Sequence, residues 1–296
     1  MYCAYPNATT ETGPCDPGYY CRSGSNQPKP ESGHTGDAAP CPVGKYCPLN
    51  TTEPLLCQKG RYSNKTHLKL PTDCDLCTPG SYCGVDGLSD VSGKCDPGFY
   101  CLYGSEVANP STVTPAGGPC PIGHYCLTGT SYPLGCKAGT YNNQTGQSAC
   151  QSCCSGYYCP ANSTSCLLEC PSGRYCPTGT KHSNEYPCPA GTYNSYPRKM
   201  SVDDCTACDA GKYCPTTGLS ASLAVCANGW YCRRGASSAR PIDIGNLTCS
   251  GNTTLNASSC FCPNSTTGGQ CPPGTFCPAG VSTPTPCTGG KALMIL

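Results

Sequence analysis

The feature that most constrains the fold of this chain is a seven-residue motif, C-x-x-G-x-[YF]-C, which occurs ten times. Turn-forming residues precede a glycine that tolerates a positive φ, so each motif is predicted to fold back on itself with a cysteine at the end of each arm. Three further copies lack the closing cysteine and begin at Cys57, Cys136 and Cys188. The ten complete copies begin at Cys15, Cys41, Cys77, Cys95, Cys120, Cys153, Cys170, Cys208, Cys226 and Cys271.

Complete and shortened motifs alternate to form a six-cysteine unit, C-x5-C-x9–11-C-x13–16-C-x2-C-x5-C, which occurs three times. Such self-similarity is typical of repeat proteins in which each unit contacts only its neighbours. The cysteine spacing predicts a partial cysteine-rich module over 1–40, repeat 1 with a short module and a Pro/Ser/Thr linker over 41–119, repeat 2 over 120–169, repeat 3 with a short module over 170–245, a glycosylated loop region over 246–270 and a partial module over 271–296.

Composition determines what can hold such a chain together. Of 296 residues, 33 are Cys, whereas only 33 are Leu, Ile, Val or Phe, which is too few to fill an ordinary hydrophobic core. We therefore expect small disulfide-rich modules in an elongated repeat rod, with short β-hairpins and turns and almost no helix. The aromatic slot of the motif is expected to supply a ladder of rings that cover the disulfides or pack on the next module. Its members in the complete motifs are Tyr20, Tyr46, Tyr82, Tyr100, Tyr125, Tyr158, Tyr175, Tyr213, Tyr231 and Phe276.

Net charge and the search for targeting segments limit the partners and the location that we expect for the chain. The formal net charge is +1 with 12% charged residues, and no basic run is present to neutralise phosphates, so nucleic acid is not expected as a partner. Residues 1–25 contain no apolar stretch of the kind found in a signal peptide, and no segment has the length and apolarity of a membrane span. We interpret the sequence as a piece of a larger secreted protein.

Sequons identify the compartment independently of the cysteines. The pattern Asn-x-Ser/Thr predicts N-linked glycans and an extracellular or cell-surface location, where disulfides persist. Pro/Ser/Thr segments at 104–119 and 281–286 are candidates for O-linked glycans, with an unmodified spacer as an equal alternative. The nine sequons are at Asn7, Asn50, Asn64, Asn143, Asn162, Asn246, Asn252, Asn256 and Asn264.

Catalytic and metal-binding chemistry is not expected. The pairs Cys74–Cys77, Cys150–Cys153 and Cys205–Cys208 have C-x-x-C spacing, but each lies inside a repeated turn among many other cysteines, which favours disulfides over zinc. No hydrolase, zinc-protease or nucleotide-binding motif is present in the sequence. We predict no enzyme activity, no metal site and no cofactor.

The stretch CPAGTYNSYPRKMSVDDCTACDAGKYC, from Cys188 to Cys214, resembles the ephrin-receptor-like cysteine-rich repeat, a relative of the tumour-necrosis-factor-receptor module. The resemblance extends over residues 41–232 and, more loosely, over 15–40 and 263–287. Multi-repeat surface proteins of ciliates, algae and other microbial eukaryotes are similar to this pattern, including the protein of the hair-like mastigonemes on green algal flagella. The short modules and the many sequons depart from the receptor pattern.

The resemblance also implies a disulfide pairing. It suggests that the long loops are closed by Cys57–Cys74, Cys136–Cys150 and Cys188–Cys205, and that later cysteines pair in overlap, as in Cys77–Cys95 and Cys83–Cys101. Adjacent Cys153 and Cys154 would form a strained ring, which favours an extra bridge Cys154–Cys166. Because spacing alone does not determine connectivity, other pairings stay open.

The cysteine count is odd, so at least one thiol has no partner within the chain. Cys3 and Cys287 are the candidates because each lies where half a module is missing, with an intermolecular bridge as the alternative.

Two functions are compatible with these features. Serial repetition, cross-links and sugars favour an extracellular structural glycoprotein, a protomer segment of a filament, flagellar hair or surface matrix that associates with itself or with other structural proteins. The alternative is a receptor or adhesin ectodomain that binds a protein or glycan. A receptor should present a solvent-facing apolar cluster, and the candidates for it are Leu167, Leu168 and Trp230.

Overall fold

The computed structural model describes residues 1–6, 9–22, 24–30, 38–241 and 266–287. Their contacts form two units. The first comprises Met1–Cys136 and Asn142–Gln151, and the second comprises Lys137–Tyr141 and Ser152–Leu296. The division falls inside the segment that the sequence assigns to repeat 2. The expected fold class is confirmed, because the described residues form small disulfide-rich modules in a repeat, with many two-stranded hairpins and almost no helix.

Strands of the described residues are two or three residues long, and each odd-numbered strand pairs with the next strand along the chain. The first unit contains β1 (Tyr19–Cys21), β2 (Ala38–Pro40), β3 (Lys45–Tyr46), β4 (Leu55–Leu56), β5 (Arg61–Tyr62), β6 (Asp75–Leu76), β7 (Ser81–Tyr82), β8 (Gly93–Lys94), β9 (Phe99–Cys101), β10 (Gly117–Pro119), β11 (His124–Tyr125) and β12 (Leu134–Gly135). They continue as β13 (Thr140–Tyr141), β14 (Gln151–Ser152), β15 (Thr192–Tyr193), β16 (Thr206–Ala207), β17 (Lys212–Tyr213), β18 (Ala224–Val225), β19 (Trp230–Cys232), β20 (Gly268–Gln270), β21 (Thr275–Phe276) and β22 (Thr285–Pro286).

Each hairpin joins one motif to the next. Its first strand contains the aromatic slot of a motif, and its second strand ends immediately before the next opening cysteine. In β3–β4, for example, Lys45 lies opposite Leu56 and Tyr46 lies opposite Leu55. The turn before β3 contains Gly44 at φ +73°, a conformation that residues with a Cβ resist. The hairpins therefore follow from the repeated glycine and from the spacing between motifs.

Fourteen disulfides connect the described cysteines, and most of them close a single motif on itself. The structure forms the expected pairs Cys57–Cys74, Cys136–Cys150, Cys188–Cys205 and Cys154–Cys166. The motifs that begin at Cys57, Cys136 and Cys188 have no closing cysteine. Their opening cysteine therefore bonds with the first cysteine of the next C-x-x-C.

The expected overlapping pairs Cys77–Cys95 and Cys83–Cys101 are wrong. The structure pairs Cys77 with Cys83 and Cys95 with Cys101, at Cα–Cα distances of 5.8 Å and 5.9 Å. The physical reason is the glycine turn, which returns the chain at once and brings both cysteines of one motif within bonding distance. A six-residue loop also costs less chain entropy to close than a bridge between modules.

The two longer loops closed by disulfides each contain one turn of 3-10 helix, Pro71–Asp73 and Val202–Asp204. The aspartate that ends each turn accepts two backbone hydrogen bonds, which for Asp204 come from the amides of Met200 and Ser201 at 2.8 Å and 3.0 Å. The corresponding loop of the second repeat, between Cys136 and Cys150, spans 14 residues instead of 17 and has no such turn.

The buried interior consists mainly of cystines. Most disulfide-bonded cysteines are 0–1% exposed, and the apolar side chains that join them are few and small, such as Leu68 and Ala236. Cross-links therefore take the place of an apolar core, as the composition predicts. No helix in the described part of the chain is long and apolar enough to cross a bilayer.

Candidate functional site

A ladder of backbone hydrogen bonds joins each motif to the next. The amide of Gly44 donates to the carbonyl of Ser63 at 2.8 Å, and the amide of Cys57 donates back to the carbonyl of Gly44 at 2.9 Å. Each glycine thus binds both ends of the following motif. The same pair of bonds occurs in the first unit at Gly18, Gly44, Gly60, Gly80, Gly98 and Gly123, and in the second unit at Gly139, Gly156, Gly173, Gly191, Gly211 and Gly229.

A second set of bonds strengthens the ladder. The residue three or four positions after a closing residue has a positive φ, and its amide donates to the opening cysteine of the preceding motif, as from Gly87 to Cys57 at 2.7 Å. Asn50 and His67 occupy the same position at φ 61° and 66°. This position was missed in the sequence, because glycine, asparagine, histidine and arginine share it without a common pattern.

The three motifs without a closing cysteine carry a buried polar residue in its place, and its role was also missed. Ser63, Asn142 and Asn194 are 0–2% exposed, and their carbonyls accept the ladder bond that a cysteine accepts elsewhere. The Asn194 side-chain amide donates to the carbonyl of Arg174 at 2.9 Å, and its oxygen accepts the amide of Tyr196 at 3.1 Å. At this position the side-chain hydrogen bonds of Asn194 thus take the place of a closing cysteine, while the opening cysteine Cys188 forms its disulfide with Cys205.

The aromatic slot is placed as expected at two positions where the packing is resolved in detail. Tyr46 packs against Leu68 and the Cys57–Cys74 disulfide of the next motif. Tyr213 likewise packs against Cys226 and Cys232 of the motif that follows it. The other tyrosines of the expected ladder, Tyr20, Tyr82, Tyr100, Tyr125, Tyr158 and Tyr175, are half-buried, Tyr231 is buried and Phe276 is exposed.

Four of the sequons lie on the surface of the described residues. The side chains of Asn50, Asn64, Asn143 and Asn162 are all exposed. Asn50 and Asn162 sit in tight turns at φ 61° and 62°, where asparagine is tolerated. An oligosaccharide at any of the four would extend into solvent. The remaining sequons, Asn7, Asn246, Asn252, Asn256 and Asn264, lie outside the described residues.

The two cysteines expected to lack a partner, Cys3 and Cys287, are free and exposed. A separate group of sulfur atoms, from Cys153, Cys159 and Cys166, lies within 4.8 Å of one another. All three are in disulfides, so the oxidised chain offers no thiolate there with which to bind a metal.

One polar cluster links a motif to its neighbour in the second unit. The carboxylate of Asp209 accepts hydrogen bonds from the hydroxyls of Ser222 and Tyr193, and Lys212 lies 3.6 Å from it. The Ser222 hydrogen bond is the main cause that lowers the pKa of Asp209, while burial of the ring and the Asp209 hydrogen bond raise the pKa of Tyr193. The cluster keeps Asp209 charged and ties together the neighbouring strands that carry Tyr193 and Lys212.

Comparison with known proteins finds no matching family model and no matching curated protein. Fourteen disulfides are nevertheless typical of a secreted or extracellular protein, because thiols stay reduced in the cytosol.

Proposed function

We propose that this chain is an extracellular structural glycoprotein, a protomer segment of a filament, a flagellar hair or a cell-surface matrix. Its partners are further copies of itself or other structural proteins, and its sequons carry N-linked glycans. The resemblance of the motif to mastigoneme-type proteins also favours the proposal.

The observation that carries the proposal is the backbone ladder. In each unit every layer is cross-linked by its own disulfide and bonded to the next layer by a pair of backbone hydrogen bonds, as between Gly44 and its partners Ser63 and Cys57. Disulfides prevent an opened layer from unravelling, and the repeated bonds distribute a load over many layers. Both properties suit a protein that bears mechanical stress outside the cell.

Surface features add support. Sugars on Asn50, Asn64, Asn143 and Asn162 would shield loops whose backbone is otherwise open to proteases. The formal net charge of +1 with 12% charged residues gives the chain no excess of positive charge with which to bind a nucleic acid.

One observation favours the second candidate, a receptor or adhesin ectodomain. The loop closed by the extra Cys154–Cys166 disulfide is followed by Leu167 and Leu168, which are 75% and 45% exposed. A pair of exposed leucines on a constrained loop is a plausible contact for a protein ligand. Trp230 does not add to this surface, because it is half-buried against Cys226, Cys232 and Ala236.

Electron microscopy of the native, unreduced protein from its source tests the proposal. We expect fibres or sheets with a regular repeat and additional density at the glycans. Isolated particles at micromolar concentration would contradict the structural role and would make a ligand search through Leu167 and Leu168 the next step.

A further inference from the structure

One hairpin of the second unit brings two tyrosine rings into contact. Arg174 forms an antiparallel bridge with Pro187. The next residue, Tyr175, therefore lies opposite Tyr186, and its amide donates to the carbonyl of Tyr186 at 3.0 Å. The ring centroids are 5.6 Å apart and the ring planes are inclined at 33°, which is a contacting aromatic pair. Tyr175 fills the aromatic slot of its motif, and Tyr186 comes shortly before the next opening cysteine, Cys188.

The other aromatic slots of the described residues do not face a second ring across their hairpin. Tyr46 faces Leu55, for example, and Tyr213 faces Ala224. The remaining strand pairs and bridges of the described chain likewise place a residue that is not aromatic opposite the slot. Because the hairpin forms at those slots without a second ring, the pair at Tyr175 is not a requirement of the fold.

The position of the pair is also the one place where it could add a cross-link that cystines do not supply. Among the described residues no disulfide crosses Lys181, since Cys170–Cys176 ends before it and Cys188–Cys205 begins after it. The loop between these two motifs exposes Lys181 and His182 to solvent. A covalent bond between the two rings would carry a load past this loop and would hold the motifs together if the loop were cut.

The surroundings of the pair suit one-electron oxidation. Both rings are half-buried, so an oxidant can reach them. The Tyr186 hydroxyl donates a hydrogen bond to the carboxylate of Glu185, which also accepts the backbone amide of Lys181 at 2.7 Å. The charge of Glu185 is the main cause that raises the pKa of Tyr186, so the phenol is protonated at neutral pH. When the ring loses an electron, Glu185 is in place to accept the phenolic proton.

We propose that Tyr175 and Tyr186 are joined by a carbon–carbon bond between their rings, a dityrosine cross-link that a peroxidase makes with hydrogen peroxide. The bond connects two consecutive motifs of the ladder. It requires the oxidising surroundings outside the cell, of which the disulfides are typical. The inference goes beyond the proposed filament role and does not depend on it.

The reaction balances with one hydrogen peroxide for each cross-link. Each phenol loses one electron and one proton and becomes a phenoxyl radical. The two radicals join at ring carbons next to the hydroxyl groups, and the hydrogen on each of these carbons then moves to the phenolic oxygen, which restores both rings. The two electrons and two protons that were removed reduce hydrogen peroxide to two waters.

Peptide mapping of the protein from its source tests whether the bond is present. After full reduction and alkylation, trypsin cleavage releases Tyr175–Lys181 and His182–Arg198 as separate peptides unless the rings are joined. We expect one joined peptide that survives reduction and whose mass is lower than the sum of the two by two hydrogen atoms. Fragment ions should place the bond at Tyr186 and not at Tyr193 or Tyr196.

Peroxidase treatment of the recombinant, unreduced protein tests whether the pair directs the coupling. Hydrogen peroxide and a peroxidase should produce the same joined peptide, at an initial rate per molecule that does not change on dilution because both rings belong to one chain. Tyr175→Phe and Tyr186→Phe keep a ring but have no phenolic proton, so each should lose the joined peptide. Tyr213→Phe is the matched control, because Tyr213 fills the same slot opposite Ala224, and it should leave the yield unchanged.

Several results would overturn the inference. A native protein without the joined peptide would refute the modification, even if the recombinant protein can be coupled. Coupling mainly through Tyr196, which is 71% exposed, or a rate that falls on dilution would show that accessibility and not the pair directs the reaction. Native fibres that lack the bond would refute this inference and leave the structural role standing. Isolated native particles that contain the bond would refute the filament role and leave the cross-link standing.

Discussion

Replacing Gly211 with alanine should open the ladder locally, and Gly229 provides a matched control in the same slot. Both glycines have φ +81°, and each makes the same two ladder bonds to the following motif. An alanine at either position costs about 1–2 kcal/mol for the left-handed backbone. Only at Gly211 does the new Cβ also come under 3.0 Å from a backbone oxygen, that of Gly280, which lacks the freedom of a side chain to move away.

The difference in stability between the two variants can be estimated from the hydrogen bonds that the new Cβ would break. Displacing Gly280, which is exposed, breaks the 3.0 Å hydrogen bond from its amide to the carbonyl of Cys226, and the carbonyl of this buried cysteine is left unsatisfied at a cost of about 1–3 kcal/mol. When the strain on the two ladder bonds of Gly211 is added, Gly211→Ala should destabilise this region by about 2–4 kcal/mol more than Gly229→Ala does. This difference corresponds to a loss of protection from amide hydrogen exchange that is about 30- to 1,000-fold greater in Gly211→Ala than in Gly229→Ala.

Amide hydrogen exchange of the unreduced protein measures this loss directly. The amides of Cys226 and Gly280 should exchange much faster in Gly211→Ala than in Gly229→Ala, while amides of the first unit stay unchanged. Equal exchange at these two amides in both variants would refute the close approach of Gly211 to Gly280, which follows the second motif after that of Gly211.

Three further predictions concern other parts of the chain. Asn194→Ala should destabilise the unreduced protein by about 2–3 kcal/mol in denaturant unfolding, because two buried hydrogen bonds are lost. Asn194→Ser should destabilise it less, because Ser63 occupies the corresponding position of another motif. Equal losses of stability in the two variants would contradict this role. The hydrogen bond from the backbone amide of Ser201 is the main cause that lowers the pKa of Asp204 in the folded protein. The charged Asp204 therefore stabilises the fold fully above its unfolded pKa of about 3.9, and this stabilisation is lost as pH falls through the lower folded pKa. Asp204→Asn should therefore flatten the decline of the denaturation midpoint between about pH 5 and 2, and an unchanged decline would refute this role. Asn64→Gln, expressed in a eukaryotic secretory system, should reduce the protein mass by one N-linked glycan, and an unchanged mass would show that this exposed sequon is unoccupied.

Local features of the fold could be predicted from the sequence because they repeat. The glycine of the motif predicts the turn before Tyr46, and the scarcity of large apolar residues predicts a cystine core. The long-loop pairs such as Cys57–Cys74 were implied by the resemblance to receptor modules, and the structure forms them. Pairing of Cys77 was predicted wrongly, because the pattern implied by the resemblance was given more weight than the short turn that brings Cys83 beside it.

The ladder itself could not be predicted, because its bonds are between backbone groups that carry no sequence signature. Its side-chain traces are indirect. They are the buried asparagines that replace a closing cysteine, such as Asn194, and the mixture of Asn50, His67 and glycines at one left-handed position. Similarly, the backbone hydrogen bonds from Cys3 to Ser25 and from Cys287 to Gly274 could not be predicted from the sequence.

That each complete motif closes on itself is the central claim, and a disulfide map of the unreduced native protein tests it most directly. Trypsin cleavage after Lys69 and Lys94 releases the peptide Leu70–Lys94, which contains Cys74, Cys77 and Cys83. We predict that this peptide is joined through Cys74 to the peptide that carries Cys57 and that Cys77 and Cys83 are bonded to each other. A Leu70–Lys94 peptide joined to one carrying Cys95 or Cys101 would contradict the self-closed module and the ladder built from it.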